Sequence, residues 1–179
     1  MLALRPLAVV WLAAGLAGGC ETPSITVPFS GTMTVPGCDP AVSACDPLTS
    51  LPECPGVSEL DVRELSAFRE AGEALRRVGE AELTSLSLTI TAGAADFGWL
   101  DRIEVLAGGD GIPPVTVAAL ALDAEARASR RIALVPTGAA LEEAVRGGPL
   151  LVTTRVEGRS PPVDTGLDLD GVLAISFGP

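Results

Sequence analysis

The sequence predicts an all-β fold, an antiparallel two-layer β-sandwich with one or two short helices. Three observations point there. Leu83–Thr91 reads LTSLSLTIT, with Leu86, Leu88 and Ile90 on one face and Ser and Thr on the other. That is the two-residue period of a half-buried strand. From Glu80 to Phe177, about six such segments follow one another in about 95 residues, joined mostly by short Gly/Pro turns. This spacing suits a sandwich rather than a series of βαβ units. The chain has 179 residues, enough for one domain with its own core and too few for two comfortable ones.

Residues 1–19 read as a signal peptide. Arg5 supplies a positive start, Leu7–Ala17 is almost wholly apolar, and Gly18 and Gly19 are small. The apolar run is too short for a membrane core that takes ~20 helical residues to cross. Leu16-Ala17-Gly18-Gly19-Cys20 resembles the lipobox of bacterial lipoproteins. It departs from that pattern at Ala17, where Leu is commonest. The resemblance implies cleavage before Cys20, a diacylglycerol on its thiol and an acyl chain such as palmitate on the new amino group. One acyl chain holds a protein only marginally, whereas two or three make a stable anchor. Glu21 stands where Asp often retains lipoproteins in the inner membrane. The resemblance thus implies an exported, membrane-anchored lipoprotein in the outer membrane of a two-membrane bacterium.

Residues 20–57 read as a lipidated tether. In SITVPFSGTMTV, Ile25, Val27 and Phe29 fall on one side, and Ser30-Gly31 suggests a turn into Thr32–Val35, making a hairpin. Pro36–Gly56 is rich in Pro, Asp and Ser. Such sequence continues neither a helix nor a central strand, and it reads as an irregular stalk open to protease. Cys38, Cys45 and Cys54 lie in it. An exported chain meets an oxidising compartment, so one disulfide is expected. The pairings 38–45, 38–54 and 45–54 are all open, with one thiol left over.

Residues 58–179 read as a helix plus the sandwich. The helix is expected over Ser58–Val78, with Leu65, Phe68, Leu75 and Val78 on one face. Ser58-x-x-Asp61 is patterned like a capping box and Gly79 supplies a stop. Glu59–Arg63 and Glu73–Arg77 are i,i+4 pairs in the favourable order. Strands are expected at Leu83–Thr91, Leu100–Ala107, Val115–Leu122, Arg131–Val135, Leu150–Glu157 and Leu167–Phe177. GGDGIPP makes a turn, and Thr137 caps a short helix to Arg146 that Gly147-Gly148 ends. The architecture is immunoglobulin-like in general terms, two sheets enclosing a core ~10 Å thick. Leu86, Leu88, Ile90, Ile103, Val105, Val117, Ile132, Leu134, Val152 and Val156 are the expected core.

The composition limits the chemistry. The chain holds no His, Lys, Tyr, Asn or Gln, so every cation is an Arg. Ser-His-Asp and Cys-His arrangements, Ser-Lys dyads and P-loops are therefore excluded. A zinc site of the usual kind needs His or four cysteines. General acid–base work would fall to carboxylates. All 23 acidic residues follow Cys20 while Arg5 precedes it, so the mature chain is more acidic than the net −11 of the whole. Such a surface repels nucleic acid. Few rings follow the signal peptide: Phe29, Phe68, Phe97, Trp99 and Phe177.

Asp164-Thr165-Gly166 matches the triplet that carries the catalytic aspartate of aspartic proteases. However, Pro161-Pro162-Val163 precede it, and too little chain follows for that family's flap and second loop. A turn into the last strand is expected instead. Asp164, Asp168 and Asp170, the candidate metal ligands, are spaced partly like a calcium loop, but the Leu and Asp of LDLDG alternate as on a solvated strand face, so no metal site is expected. Gly166 and Phe177 stand where an EF-hand needs carboxylates. No cofactor is expected. The sequence thus reads as a membrane-anchored protein with a non-catalytic binding or structural module and an envelope protein as partner. The alternative is a carboxylate-based hydrolase of envelope glycan.

Overall fold

The computed structural model describes residues 24–39, 41, 45–64 and 78–178. The expected signal peptide, Cys20 and residues 65–77 of the expected helix lie outside the described residues. The alternation that begins at Ile25 does not stop at Gly31. Ser24–Val35 is a single strand, β1. It pairs antiparallel over its whole length with Thr165–Phe177 (β9), from Ser24 opposite Ser176 to Val35 opposite Thr165. Val27, Met33 and Val35 are buried, while Thr26, Ser30, Thr32 and Thr34 on the other face are exposed.

Two expectations are thereby corrected. There is no hairpin at Ser30-Gly31, and residues 24–35 belong to the sandwich rather than to a tether. Gly31 answers a different need. A Cβ there would lie 2.5 Å from Cys54 Sγ and 2.8 Å from Val57 Cγ2. A glycine inside a strand marks such a close approach as readily as it marks a turn.

The remaining long strands are Val78–Ala92 (β4), Leu100–Gly109 (β5), Ile112–Ala121 (β6), Arg131–Pro136 (β7) and Leu150–Arg159 (β8). One layer runs β1-β9-β4-β7 and the other β6-β5-β8. β7 turns the corner between them. Its Leu134 pairs with Leu86 of β4, while Val135 and Pro136 pair with Ala119 and Ala118 of β6. The architecture is the expected two-layer antiparallel sandwich, in which one curled sheet makes both layers. Its wiring differs from the immunoglobulin order: the last strand lies between β1 and β4, whereas the immunoglobulin order groups the last strand with the penultimate one.

β4 is longer than its expected core, because β-bulges re-aim it. On the β9 side the register shifts between Val78 and Glu80 and between Leu83 and Ser85. Each extra residue flips which parity faces inward. Ala81 and Leu83 therefore join Leu86, Leu88 and Ile90 in the core despite their different parity. Of the ten expected core residues, nine are buried, and Val152 is partly buried against them.

The second large correction concerns residues 36–64. Pro47–Leu48 (β2) and Glu59–Leu60 (β3) both pair with β8. Between them, Thr49 O accepts from Val156 N–H, Leu51 N–H donates to Thr154 Oγ1, and Ser58 O accepts from Val152 N–H. Leu51, Cys54, Val57 and Leu60 are buried. The Pro-rich stretch is thus an edge cover for β8, which would otherwise expose a row of unpaired backbone groups. The expected helix start at Ser58 is replaced by β3 and a 3-10 turn at Val62–Glu64, and Val78 and Gly79 open β4.

Two short helices are present among the described residues. Ala124–Arg127 (α1), unforeseen, is capped by Asp123, whose Oδ1 accepts from Ala126 N–H at 2.8 Å. Glu142–Gly147 (α2) begins later than expected. Its N-cap is Leu141, without a side-chain cap bond. Thr137 instead donates its hydroxyl to Thr116 O at 2.7 Å.

Candidate functional site

The cysteines sort into two roles. Cys38 and Cys45 form a disulfide, one of the three open pairings, and Cys54 is a buried free thiol. Burial, and secondarily the charge of Asp168, pushes the Cys54 thiol above its ordinary value of 9.0. It therefore stays protonated and unreactive at neutral pH. Cys54 sits in the tight turn on Gly31: its carbonyl accepts from Val57 N–H and Ser58 N–H, and its own N–H donates to Ser58 Oγ at 2.6 Å.

The Asp164-Thr165-Gly166 triplet is a junction of three chain segments. Asp164 Oδ1 accepts from Gly37 N–H at 2.8 Å, and Cys38 N–H donates to Pro161 O. Thr165 is fully buried. Its hydroxyl donates to Val163 O and accepts from Ala94 N–H, at 2.8 and 3.1 Å. The triplet thus ties the start of β9 to the end of β1 and to the loop after β4. The chain bends at Pro162 and Val163, Thr165 and Gly166 already lie in β9, and the Asp164 carboxylate works as a clamp on backbone.

Asp168 and Asp170 project from the outer face of β9, alternating with buried Leu167 and Leu169. Their cross-strand neighbours on β4 are Thr89 and Ser87, and those face Arg131 and Ala133 on β7. Arg131 Nη2 donates to Ser87 Oγ at 3.2 Å. Asp164 is engaged elsewhere, so the three candidate ligands do not converge. No group of three or more metal-ligating side chains is found among the described residues. A shallow depression of about 730 Å³ lies over this part of the sheet, lined by Ser30, Ser85, Ser87, Arg131 and Asp170 among others.

The outer face of the second layer carries a small ion-pair set. Glu104 lies between Arg102 at 2.5 Å and Arg155 at 3.4 Å. Between the layers, Leu86, Val105, Val117, Leu141, Leu169 and their neighbours line an apolar void of about 20 Å³. That is room for one water but offers no polar partner to hold it. Phe97 and Trp99 pack on each other, centroids 5.9 Å apart, and both are buried. These two rings fill the core and offer no stacking surface.

No family model matches the chain, and no curated protein matches it. Among solved structures it is similar to a chain of turnip yellow mosaic virus, with 12% identity and a TM-score of 0.35 over 97% of this chain and 90% of that one. It is similar to a chain of the cyanophage Pam1 capsid asymmetric unit, with 16% identity and a TM-score of 0.37 over 97% and 100%. A chain of Triatoma virus gives 13% identity and a TM-score of 0.36 over 94% and 79%. Likenesses at these values assign neither a family nor a function.

Proposed function

We propose that the protein is a lipid-anchored lipoprotein of the bacterial outer membrane, and that its β-sandwich is a non-catalytic binding or structural module facing an envelope protein partner. The resemblance of Leu16–Cys20 to a lipobox supports the anchor. One observation carries the non-catalytic reading: the acidic side chains with assigned partners serve the fold. Asp164 clamps Gly37, Asp123 caps α1, Asp96 accepts from Gly98 N–H, and Glu104 pairs with two arginines. Acid–base cleavage of a glycan needs two carboxylates ~5–10 Å apart across the scissile bond, one of them with its pKa raised. None of the described carboxylates is buried.

The reading has a two-part test. Protein extracted from membranes should give an intact mass for a chain starting at Cys20 plus acyl groups. The same protein should release no reducing ends from envelope glycan. Unmodified soluble protein would end the anchor reading. Glycan cleavage lost on substitution of one Asp or Glu would favour the hydrolase.

A further inference from the structure

The strand that follows Cys20 leaves almost no chain for a tether. β1 is in register with β9 from Ser24 onward, four residues after Cys20. Four residues reach at most about 14 Å when fully extended. A lipid on Cys20 would therefore hold the sandwich itself close to the bilayer.

The topology says which end is held. Ser24 pairs with Ser176, so the start of β1 lies at the end of β9, beside the start of β4. β7 runs antiparallel to β4, which brings Pro136, residues 137–141 and α2 to the same end. Leu141 N–H donates to Ala81 O, and Arg146 Nε to Val78 O at 2.9 Å, fixing α2 there. The opposite end carries the Cys38–Cys45 disulfide and the Pro161–Asp164 turn. Along β9 the two ends are about 40 Å apart, at ~3.3 Å per residue.

Resting on the proposed anchor, we infer that the end formed by residues 137–147 faces the lipid surface and that the disulfide-bearing end points away from it. The outer face of the first layer carries Glu80, Glu82, Asp168 and Asp170 with Arg131, and the 137–147 end carries Glu142, Glu143 and Arg146, so an anionic membrane repels the outer face more than that end. At the distal end Pro162, Val163 and Asp164 are exposed. Val163 is 50% exposed there.

The test uses the full lipidated protein in vesicles of phosphatidylethanolamine and phosphatidylglycerol containing lipid with a headgroup nitroxide. Native Trp99, in the turn just before β5, reports on the distal end. An Ala140→Trp variant adds a reporter at the proximal end, and Val163→Trp adds a second distal one. The nitroxide should remove most of the emission added at 140 and leave that of Trp99 and of the 163 variant. A Gly/Ser linker of about 20 residues inserted after Pro23 spans some 25 Å on average, and it should restore the emission at 140 while the protein still floats with the vesicles. Protein that does not float refutes the anchor itself. Protein that floats with equal quenching at 140 and 163, or with quenching at 163 alone, keeps the anchor and overturns the orientation.

Discussion

Phe29 and Gly171 face each other across the β1–β9 pair. A Cβ on Gly171 would lie 2.7 and 2.8 Å from Phe29 Cε1 and Cε2 and closer still to Cζ. The ring therefore lies over the glycine, a known way of covering a bare backbone position in a sheet. In the purified protein, Gly171→Ala must push the ring aside. Overpacking of this kind costs about 1–3 kcal/mol. Phe29 is only partly buried, so Phe29→Ala should cost less than the 3–5 kcal/mol typical of a core Phe, about 2. In the double variant the alanine methyl enters space the ring has left. There, replacing a strand glycine should be neutral or stabilising by roughly 0.5–1 kcal/mol. The two substitutions should thus couple by 1 kcal/mol or more in urea denaturation followed by circular dichroism, with the double variant close to Phe29→Ala alone. Sites without contact add within roughly 0.5 kcal/mol. Additivity at that level would mean that Phe29 does not lie over Gly171, and the register of β1 would be wrong.

Ile90 is buried opposite Leu167, whereas Thr89 lies between Arg131 and Asp168 on the outer face. Ile90→Asp should unfold the domain, since an unpaired buried charge costs several kcal/mol, and Thr89→Asp should shift the midpoint little. Both read out in the same denaturation assay. Replacing Cys38 and Cys45 by Ser removes a cross-link of sequence separation 7. The chain-entropy relation puts the cost at about 2.4 kcal/mol, which a thermal melt will show. The raised Cys54 thiol binds its proton more tightly in the folded state than in the unfolded one. Its contribution to stability is therefore full below the ordinary value of 9.0 and is lost as pH rises from there through the folded pKa. Cys54→Ala should flatten that alkaline decline, and iodoacetamide should label native Cys54 only after denaturation.

The sandwich was legible where apolar and polar residues alternate without interruption, as at Leu86, Leu88 and Ile90. It was less legible where one residue carries two meanings. Gly31 has the composition of a turn, yet it is needed because Cys54 and Val57 press on it. Pro36–Gly56 has the composition of a stalk. The same prolines are compatible with an edge cover, where few backbone donors need partners, and Leu51, Cys54 and Val57 supply apolar surface that the Pro and Asp content disguises. Ser58–Asp61 fits a helix start, but Glu59 and Leu60 are claimed by β8, a long-range pairing that local propensity does not encode. The bulge at Thr84 hid Leu83 from the core face, because alternation counted from Leu86 sends it outward. Of the candidate site residues, the Asp164 triplet was read as a turn into the last strand, but Thr165 and Gly166 already belong to β9 and the chain bends before them, at Pro162 and Val163. The hold of Asp164 on Gly37 joins positions 127 apart in sequence, which no local pattern reports.

The most direct test is hydrogen exchange, read by mass spectrometry, on the mature protein. If residues 24–35 form an edge strand paired along its whole length with β9, alternate amides of 24–35, about half of them, should be protected near the global unfolding limit, against most of those of 165–177, which is paired on both sides. Exchange of 24–35 at the rate of an unstructured chain, with 165–177 still protected, would contradict this and return the segment to a tether.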